Sequence, residues 1–197
     1  KFRAAVATAL AIAYVALSGG DRVMVRVLAG SGKPLAPVFV YGRHRIVELA
    51  RHLESLKPGG QVDLAPALAR EMVSIRRAGK VFLVSDYLMM PNSVTRGLEL
   101  FNAANMDVSV VQILGATELD GQGLQGDVEV TDAESGERVR VSIGQRERDQ
   151  YRKTLLRLAH EIRFFCSRHG LHYTLYNTSQ SFQDFFVRAA AELGLVH

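Results

Sequence analysis

The sequence predicts an α/β domain built on a doubly wound, mostly parallel sheet, with an antiparallel edge strand and an inserted β-hairpin. Runs of strand character alternate with runs of helical periodicity along the chain, and this alternation is typical of the fold class. The run Val81–Val84 is continuously apolar, as in parallel strands that helices cover on both faces. The length of 197 residues suits one domain. We therefore expect residues 1–197 to form it and residues 115–144 to be the hairpin insertion.

The composition is that of a globular protein with one core. Hydrophobic residues make up 48% of the chain and charged residues 22%, which excludes a disordered chain, a collagen and a coiled coil. The single cysteine, Cys166, excludes an internal disulfide framework and a metal site made of several cysteines. It fits a reducing compartment, and we expect a cytoplasmic location.

The chain begins with an apolar run, Ala4–Leu17, behind two basic residues. A signal peptide has the same pattern, but a run of about 14 residues is too short to span a bilayer. The run ends in Ser-Gly-Gly-Asp at 18–21, which is typical of a helix C-cap. We predict a helix buried in the α/β core and no membrane segment in this chain. A membrane anchor upstream of Lys1 is left open.

Two short strands are predicted next, joined as a hairpin. Valines alternate in Asp21–Ala29, which is the strand period. A glycine-rich turn at 30–33 leads to a second strand, Leu35–Tyr41. Pro37 within it lacks an N–H group, so we place this strand at the edge of the sheet.

The remaining elements follow the alternation. Asp63 is placed to cap the helix that it precedes, and Val81–Val84 is predicted to be an interior parallel strand. The predicted helices are Gly42–Leu56, Leu64 to about Arg77, Ser93–Ala104, Gln145–His169 and Phe182–Leu193, and the other strands are Val108–Leu114, a hairpin over Asp127–Ser142, and Leu171–Tyr176.

Charge is distributed unevenly along the chain. Gly97–Gly136 contains no Lys or Arg, whereas Arg138–Arg168 holds nine bases against three acids. Such segregation can steer a partner, and the alternative is a solvated helix beside an acidic region. No motif that combines aromatic and basic residues accompanies the bases, so we predict no nucleic-acid binding.

Four bases of the predicted long helix form a candidate electrostatic contact. They fall mostly away from its apolar stripe and should be exposed; they are Arg146, Arg152, Lys153 and Arg157. We expect them to face an acidic partner surface, for which the 118–137 region of another copy is one candidate.

Most catalytic motifs are excluded. The segment at 29–34 resembles the end of a P-loop, but Pro34 stands where the hydroxyl residue should be and a strand follows. No glycine fingerprint opens a helix, and the histidines lack metal-ligand spacing. Cys166 is more plausibly a buried apolar residue than a nucleophile. We predict no cofactor.

One polar feature stands out at the end of a strand. Asp86 follows the apolar run 81–84, at the edge where open α/β sheets bind their ligands. The loop 59–63 should reach the same edge. A carboxylate there can bind Mg²⁺ if other oxygen ligands join it, or it can cap the loop, and the pattern leaves both open.

Three segments follow one another in a distinctive order. They are Lys-Pro-Gly-Gly-Gln-Val-Asp-Leu at 57–64, Leu-Val-Ser-Asp-Tyr-Leu at 83–88, and the acidic hairpin turn that ends Ser-Gly-Glu at 135–137. Together they resemble the domain-of-unknown-function 58 family, whose members carry a von Willebrand factor A-like domain. The resemblance covers Lys1 to Leu195, and each motif is short, so its specificity comes from order and spacing.

The resemblance implies a Rossmann-like, von Willebrand factor A-like sheet and usually no catalysis. In that superfamily a metal-ion-dependent adhesion site joins three loops. Asp86 matches the aspartate of the third loop, but Val62 stands where the second loop has a threonine. The first loop, with the first strand, is expected upstream of Lys1. The resemblance therefore implies a degenerate metal site. We expect no Mg²⁺ to bind this chain, and only a longer chain that includes the first loop could bind it.

The resemblance also implies a function. Bacterial relatives of this type tend to be encoded beside MoxR-like AAA+ ATPases, and they are thought to act as adaptors or chaperone-like partners in the assembly or activation of other proteins. We therefore expect a non-catalytic interaction module whose partner-binding rim is formed by Asp63, Ser85, Asp86 and Tyr87. The alternative is an enzyme, a hydrolase or nucleotide-binding protein, with its site at the Asp86 rim. A base and a nucleophile within hydrogen-bond reach of Asp86 would favour the enzyme.

Overall fold

The structure is a computed structural model. It describes residues 1–28, 35–59, 62–73, 75, 78–120, 126–131 and 138–195, with the backbone alone at 120, 126–131 and 138–143. A 3₁₀ turn at Arg43–Arg45 precedes the helix Ile46–Ser55. In chain order the elements are α1 (Phe2–Ser18), β1 (Arg22–Val25), β2 (Val38–Tyr41), α2 (Ile46–Ser55), α3 (Leu64–Met72), β3 (Lys80–Ser85), α4 (Pro91–Ala103), β4 (Asp107–Leu114), α5 (Ala116–Asp120), β5 (Gly126–Thr131), β6 (Arg138–Ile143), α6 (Gln145–Arg168), β7 (His172–Asn177) and α7 (Phe182–Glu192).

A three-stranded parallel sheet lies at the centre, in the order β3-β4-β7. Val84 is paired with Val111, and Val111 with Thr174. Every residue of β4 after Asp107 is buried, whereas β3 is only half-buried. The prediction that Val81–Val84 is parallel is confirmed, but among the described strands it is an end strand and β4 is the interior one. An apolar run indicates that helices cover both faces of a strand, but it does not indicate whether other strands pair with both of its edges.

The first hairpin forms a sheet of its own. β1 and β2 are antiparallel, with Arg22 opposite Tyr41 and Val25 opposite Val38. The hairpin prediction is confirmed, but in the described part these strands are not joined to the parallel sheet as its edge. Pro37 precedes β2 instead of lying inside it, because proline has no N–H to give to a ladder. The predicted turn at 30–33 and the P-loop-like segment at 29–34 lie outside the described residues.

The second predicted hairpin is also confirmed. β5 and β6 are antiparallel, from Gly126 opposite Ile143 to Thr131 opposite Arg138. Its predicted turn at 132–136 lies outside the described residues. Residues 115–144 thus contain α5 and this hairpin.

Helices cover both faces of the parallel sheet. α3, α4 and α6 pack on one face, and α7 with the start of α1 packs on the other. The rest of α1 packs with α2 against the β1–β2 hairpin. Buried side chains central to these three groups are Leu68, Leu98, Val110 and Ile162; Val111, Ile113, Phe185 and Ala189; and Ala13, Leu17, Leu49 and Leu53.

The end of α1 confirms the predicted C-cap. The Asp21 N–H donates to the Ala16 carbonyl at 3.0 Å, and the Gly20 N–H donates to the Leu17 carbonyl at 3.2 Å. This pair of bonds is a Schellman motif, which needs a left-handed residue, and Gly20 has φ +85°. In the part of the chain that the structure describes, no helix is long and apolar enough to cross a bilayer.

α3 and α4 approach closely at Gly97. A Cβ atom on this residue would lie 3.0 Å from Leu68 Cδ1 and 3.2 Å from Leu64 Cγ. This contact brings the N-terminal end of α4 beside that of α3, where Asp63 lies.

Candidate functional site

Asp86 lies directly after β3, at the carboxyl end of the parallel sheet. Its Oδ1 accepts a hydrogen bond from the Leu88 N–H at 3.2 Å, and Ser85 Oγ accepts one from the Tyr87 N–H at 3.1 Å. Both are the side-chain-to-backbone bonds that short polar residues form in turns. The turn holds the Asp86 side chain at the surface, 35% exposed.

Tyr87 does not reach the rim. Its backbone is left-handed, with φ +54°, and its ring is fully buried. The hydroxyl donates to the Leu83 carbonyl at 2.8 Å, and burial raises the pKa of Tyr87 well above its ordinary value. The prediction that Tyr87 contacts a partner therefore does not fit the structure, because the turn after Asp86 returns the ring to the core.

The Lys1 side chain links Asp86 to Glu118. The Lys1 ammonium lies 2.8 Å from Asp86 Oδ2 and 2.5 Å from Glu118 Oε1. The other carboxylate oxygen of Glu118 accepts the Gly115 N–H at 2.8 Å. Lys1 precedes α1, and Glu118 follows β4, so this ionic bridge joins three elements at one end of the sheet. We call Lys1, Asp86 and Glu118 the rim triad.

The three charged side chains of the rim triad are partly exposed, so solvent screens their interactions in part. Burial alone would lower the pKa of Lys1, but hydrogen bonds and the charges of Asp86 and Glu118 outweigh it and raise the pKa above 10.5. Burial, and then the charge of Glu118, raise the pKa of the nearby Tyr151 phenol. One ammonium faces two carboxylates, so the triad carries a formal charge of −1.

A buried amide supports the rim from below. Gln112, on β4, is fully buried. Its Nε2 donates to the Asp86 carbonyl at 3.0 Å, and its Oε1 accepts the Tyr173 O–H at 2.7 Å. Burial, followed by the neighbouring Cys166 thiol, raises the pKa of Tyr173. Gln112 thus fixes the Asp86 backbone against β4 and β7.

Asp63 is exposed at the N-cap of α3, but its side chain does not cap the helix. It accepts a hydrogen bond from the Ser93 hydroxyl instead. Ser93 Oγ in turn accepts the Ala65 N–H at 3.2 Å, so a residue of α4 caps α3. The predicted cap is wrong because the close approach of the two helices places Ser93 there first. Among the described residues no hydrogen bond or ion pair joins Asp63 to Asp86.

The residues of the rim do not fit a Mg²⁺ site. Mg²⁺ requires near-octahedral oxygen ligands, and here an ammonium already lies between the two carboxylates. Val62 has no oxygen in its side chain, and Gly60 and Gln61 lie outside the described residues. Within the described ranges, no three His, Cys, Asp or Glu side chains converge as ligands would.

The same cluster lacks the parts of a hydrolase. The groups that bind the Asp86 carboxylate are the Lys1 ammonium and the Leu88 N–H. In the described part no hydroxyl, thiol or imidazole lies within hydrogen-bond reach of it. Burial raises the pKa of the Cys166 thiol to about 12, and this side chain is fully buried, which confirms Cys166 as a core residue.

The predicted basic positions on α6 are at the surface. Arg146, Arg152, Lys153 and Arg157 are all exposed, as predicted. Arg157 Nε lies 3.8 Å from Glu161 Oε1, one turn later in α6. α5, which carries Glu118 of the rim triad, packs against α6.

Sequence reasoning missed Lys1, Glu118 and Gln112 at this site. Glu118 lies in α5, the short helix after the next strand of the sheet, so a search extended to the loops and helices that follow each strand would include it. No local pattern distinguished Lys1, because the bridge spans 85 and 117 positions along the chain.

Comparisons with known proteins agree with the fold. The crystal structure of the conserved hypothetical protein BatB from Bacteroides thetaiotaomicron is similar, with TM-score 0.52 and 10% sequence identity, over 97% of this chain and 89% of BatB. At that identity the likeness concerns the fold alone. No curated protein matches the sequence. The family model described as a protein of unknown function, DUF58, matches residues 1–161, and the chain therefore belongs to the DUF58 family.

Proposed function

We propose that this chain is a non-catalytic protein-interaction module with a von Willebrand factor A-like fold, and that it binds a partner protein through the rim around Asp86. The observation that carries the proposal is the rim triad itself. Two carboxylates and an ammonium lie at the ligand-binding edge of an α/β sheet, partly exposed. The resemblance to MoxR-associated relatives indicates an AAA+ ATPase of that type as the partner.

The chemistry of the rim supports binding in preference to catalysis. General-base or nucleophilic catalysis needs a base and a nucleophile within hydrogen-bond reach. The Asp86 carboxylate is engaged by an ammonium and a backbone N–H instead. This arrangement favours the adaptor over the hydrolase or nucleotide-binding alternative.

Charge gives the proposed interface its selectivity. The rim triad carries a formal charge of −1, and α5, which carries Glu118, packs against α6, the helix with the exposed bases. A complementary partner presents a basic group to the triad and acidic groups to α6. Such complementarity acts mainly on specificity and on the association rate.

The test is binding of the full-length protein to the MoxR-type ATPase of the same organism, measured by biolayer interferometry with and without Mg²⁺. Asp86→Asn and Glu118→Gln should weaken binding severalfold in both conditions. The control is Asp21→Asn, an exposed aspartate between α1 and β1. Equal affinities for the wild type, both rim variants and the control would reject the rim as the interface. Binding that requires Mg²⁺ and Asp86 together would reject the metal-independent form of the proposal.

A further inference from the structure

A groove runs along the outer edge of β7, away from the rim. Its volume is about 530 Å³. Five consecutive residues, Leu171 to Leu175, line it, together with Arg163 and Ser167 of α6 and Arg188 and Glu192 of α7. Side chains of consecutive strand residues point to opposite faces of a sheet. Four of the five, His172 to Leu175, belong to β7. Because residues from both faces of the strand line the groove, it follows the strand edge, with α6 on one side and α7 on the other.

β7 has an open edge in this groove. It is the last strand in the order β3-β4-β7, and it pairs with β4 on one side. No other strand in the described ranges pairs with it. The N–H and C=O groups on that side form a template for a further strand. The lined stretch of five residues has room for about five residues of an extended chain at about 3.3 Å each.

The two walls of the groove differ in charge. On the α7 wall, Glu192 Oε2 accepts a hydrogen bond from the Thr174 hydroxyl at 2.6 Å. Glu192 Oε1 lies 3.8 Å from Arg188 Nε, so the negative charge of Glu192 is balanced by the positive charge of Arg188. On the α6 wall, no carboxylate of the described residues lies within ion-pair distance of Arg163. Ser167 follows Arg163 by one helical turn. A guanidinium beside a hydroxyl is a donor set suited to a carboxylate.

We propose that an extended segment of a partner protein docks on β7 as a fourth strand and that Arg163 and Ser167 bind an acidic side chain of this segment. Main-chain hydrogen bonds to the edge supply affinity, and the basic wall supplies specificity, as in other cases of strand addition. This site is separate from the rim triad and does not depend on it. The recognised chemistry is an extended, β-prone peptide with a glutamate or aspartate facing α6.

The test uses the full-length protein and synthetic probes. The probe is a capped, fluorescent eight-residue peptide in which valine alternates with threonine and one central threonine is replaced by glutamate. Two control peptides carry lysine in place of glutamate, or N-methyl groups on alternate residues, which remove strand hydrogen bonds. Anisotropy measures affinity, and hydrogen–deuterium exchange reports protection at residues 172–177.

The glutamate peptide should bind the wild type and slow hydrogen exchange in β7. It should bind the Arg163→Glu variant about tenfold more weakly, because that variant loses the charge-assisted hydrogen bonds from Arg163 to the peptide carboxylate. Arg51→Glu, an exposed arginine of α2, makes the same change of net charge and should bind as the wild type does. Binding of the N-methylated peptide with equal affinity would overturn strand addition. If Arg163→Glu and Arg51→Glu weaken peptide binding equally, the role of Arg163 is overturned. If free glutamate alone protects β7 against hydrogen exchange, the groove is an anion site and the proposal is overturned.

Discussion

The Tyr173 hydroxyl donates a hydrogen bond to Oε1 of the buried Gln112 at 2.7 Å, across the junction of two parallel strands. The same amide donates to the Asp86 carbonyl. Tyr173 lines the groove beside β7, so one buried side chain contacts both candidate interaction sites. Buried networks of this kind are costly to leave partly satisfied.

Gln112→Leu should lower the free energy of unfolding by about 1–3 kcal/mol, because the Asp86 carbonyl and the Tyr173 hydroxyl lose their partner. Tyr173→Phe removes one bond only and should cost less. Urea denaturation of both variants and of the double variant forms a cycle. The double variant should be more stable than the sum of the single effects implies, and additive effects would contradict the bond as described.

Lys1→Met should change the pH dependence of stability. Because the pKa of Lys1 is raised in the folded protein, its ion pairs are fully present below pH 10.5 and are lost as the pH rises through the folded-state pKa. The wild type should therefore lose stability in that alkaline window, and the variant should not lose this part. At neutral pH the variant should be less stable by about 0–1 kcal/mol, since the groups are partly exposed. Chemical denaturation from pH 7 to 11.5 measures both, and parallel curves would disprove the assignment.

Gly97→Ala should destabilise the protein, although alanine favours helices by about 1 kcal/mol over glycine. Its Cβ would lie 3.0 Å from Leu68 Cδ1 and 3.2 Å from Leu64 Cγ, and overpacking costs about 1–3 kcal/mol. Asn102→Ala, at an exposed position of the same helix, should be neutral or stabilising. Thermal unfolding distinguishes them. A melting temperature above the wild-type value for Gly97→Ala would show that the helices separate easily.

Ser93→Ala should lower the unfolding free energy by about 1 kcal/mol, the usual effect of losing a helix cap, because Ser93 Oγ accepts the Ala65 N–H. Asp63 remains at the N-cap and can take over part of this role. The double variant Asp63→Ala/Ser93→Ala should therefore lose more than the single one. If Asp63→Ala alone costs as much as the double variant, Asp63 is the true cap.

Reversing three bases of α6, Arg152→Glu/Lys153→Glu/Arg157→Glu, should slow association with the acidic partner and weaken its salt dependence. The melting temperature should hardly change, because exposed ion pairs contribute only about 0–1 kcal/mol. Stopped-flow or interferometric rates between roughly 50 and 500 mM salt measure this, a range over which the Debye length shrinks severalfold. Rates that respond neither to the reversal nor to salt would make these bases ordinary solvated surface.

Single helices and strands could be predicted from the sequence because residues close together in the chain determine them. The alternation of valines predicted β1, the apolar run at 81–84 predicted a parallel strand, and the glycines at 19 and 20 predicted the end of α1. The stripe of α6 placed its four basic residues at the surface. Asp86 was found from its position after a strand, which is also a local property.

Only the tertiary structure decided which residues meet. The neighbours of β3, the capping of α3 by Ser93 and the burial of Tyr87 depend on helices and strands that are distant in sequence. The rim triad depends on two carboxylates, one after β3 and one in α5, arriving within 2.8 Å of the Lys1 ammonium. The periodicity of apolar side chains indicates which face of a helix or strand is buried, but it does not indicate which residues pack against that face. Contacts between Lys1, Asp86 and Glu118 are therefore set by packing, and no pattern along the chain encodes them.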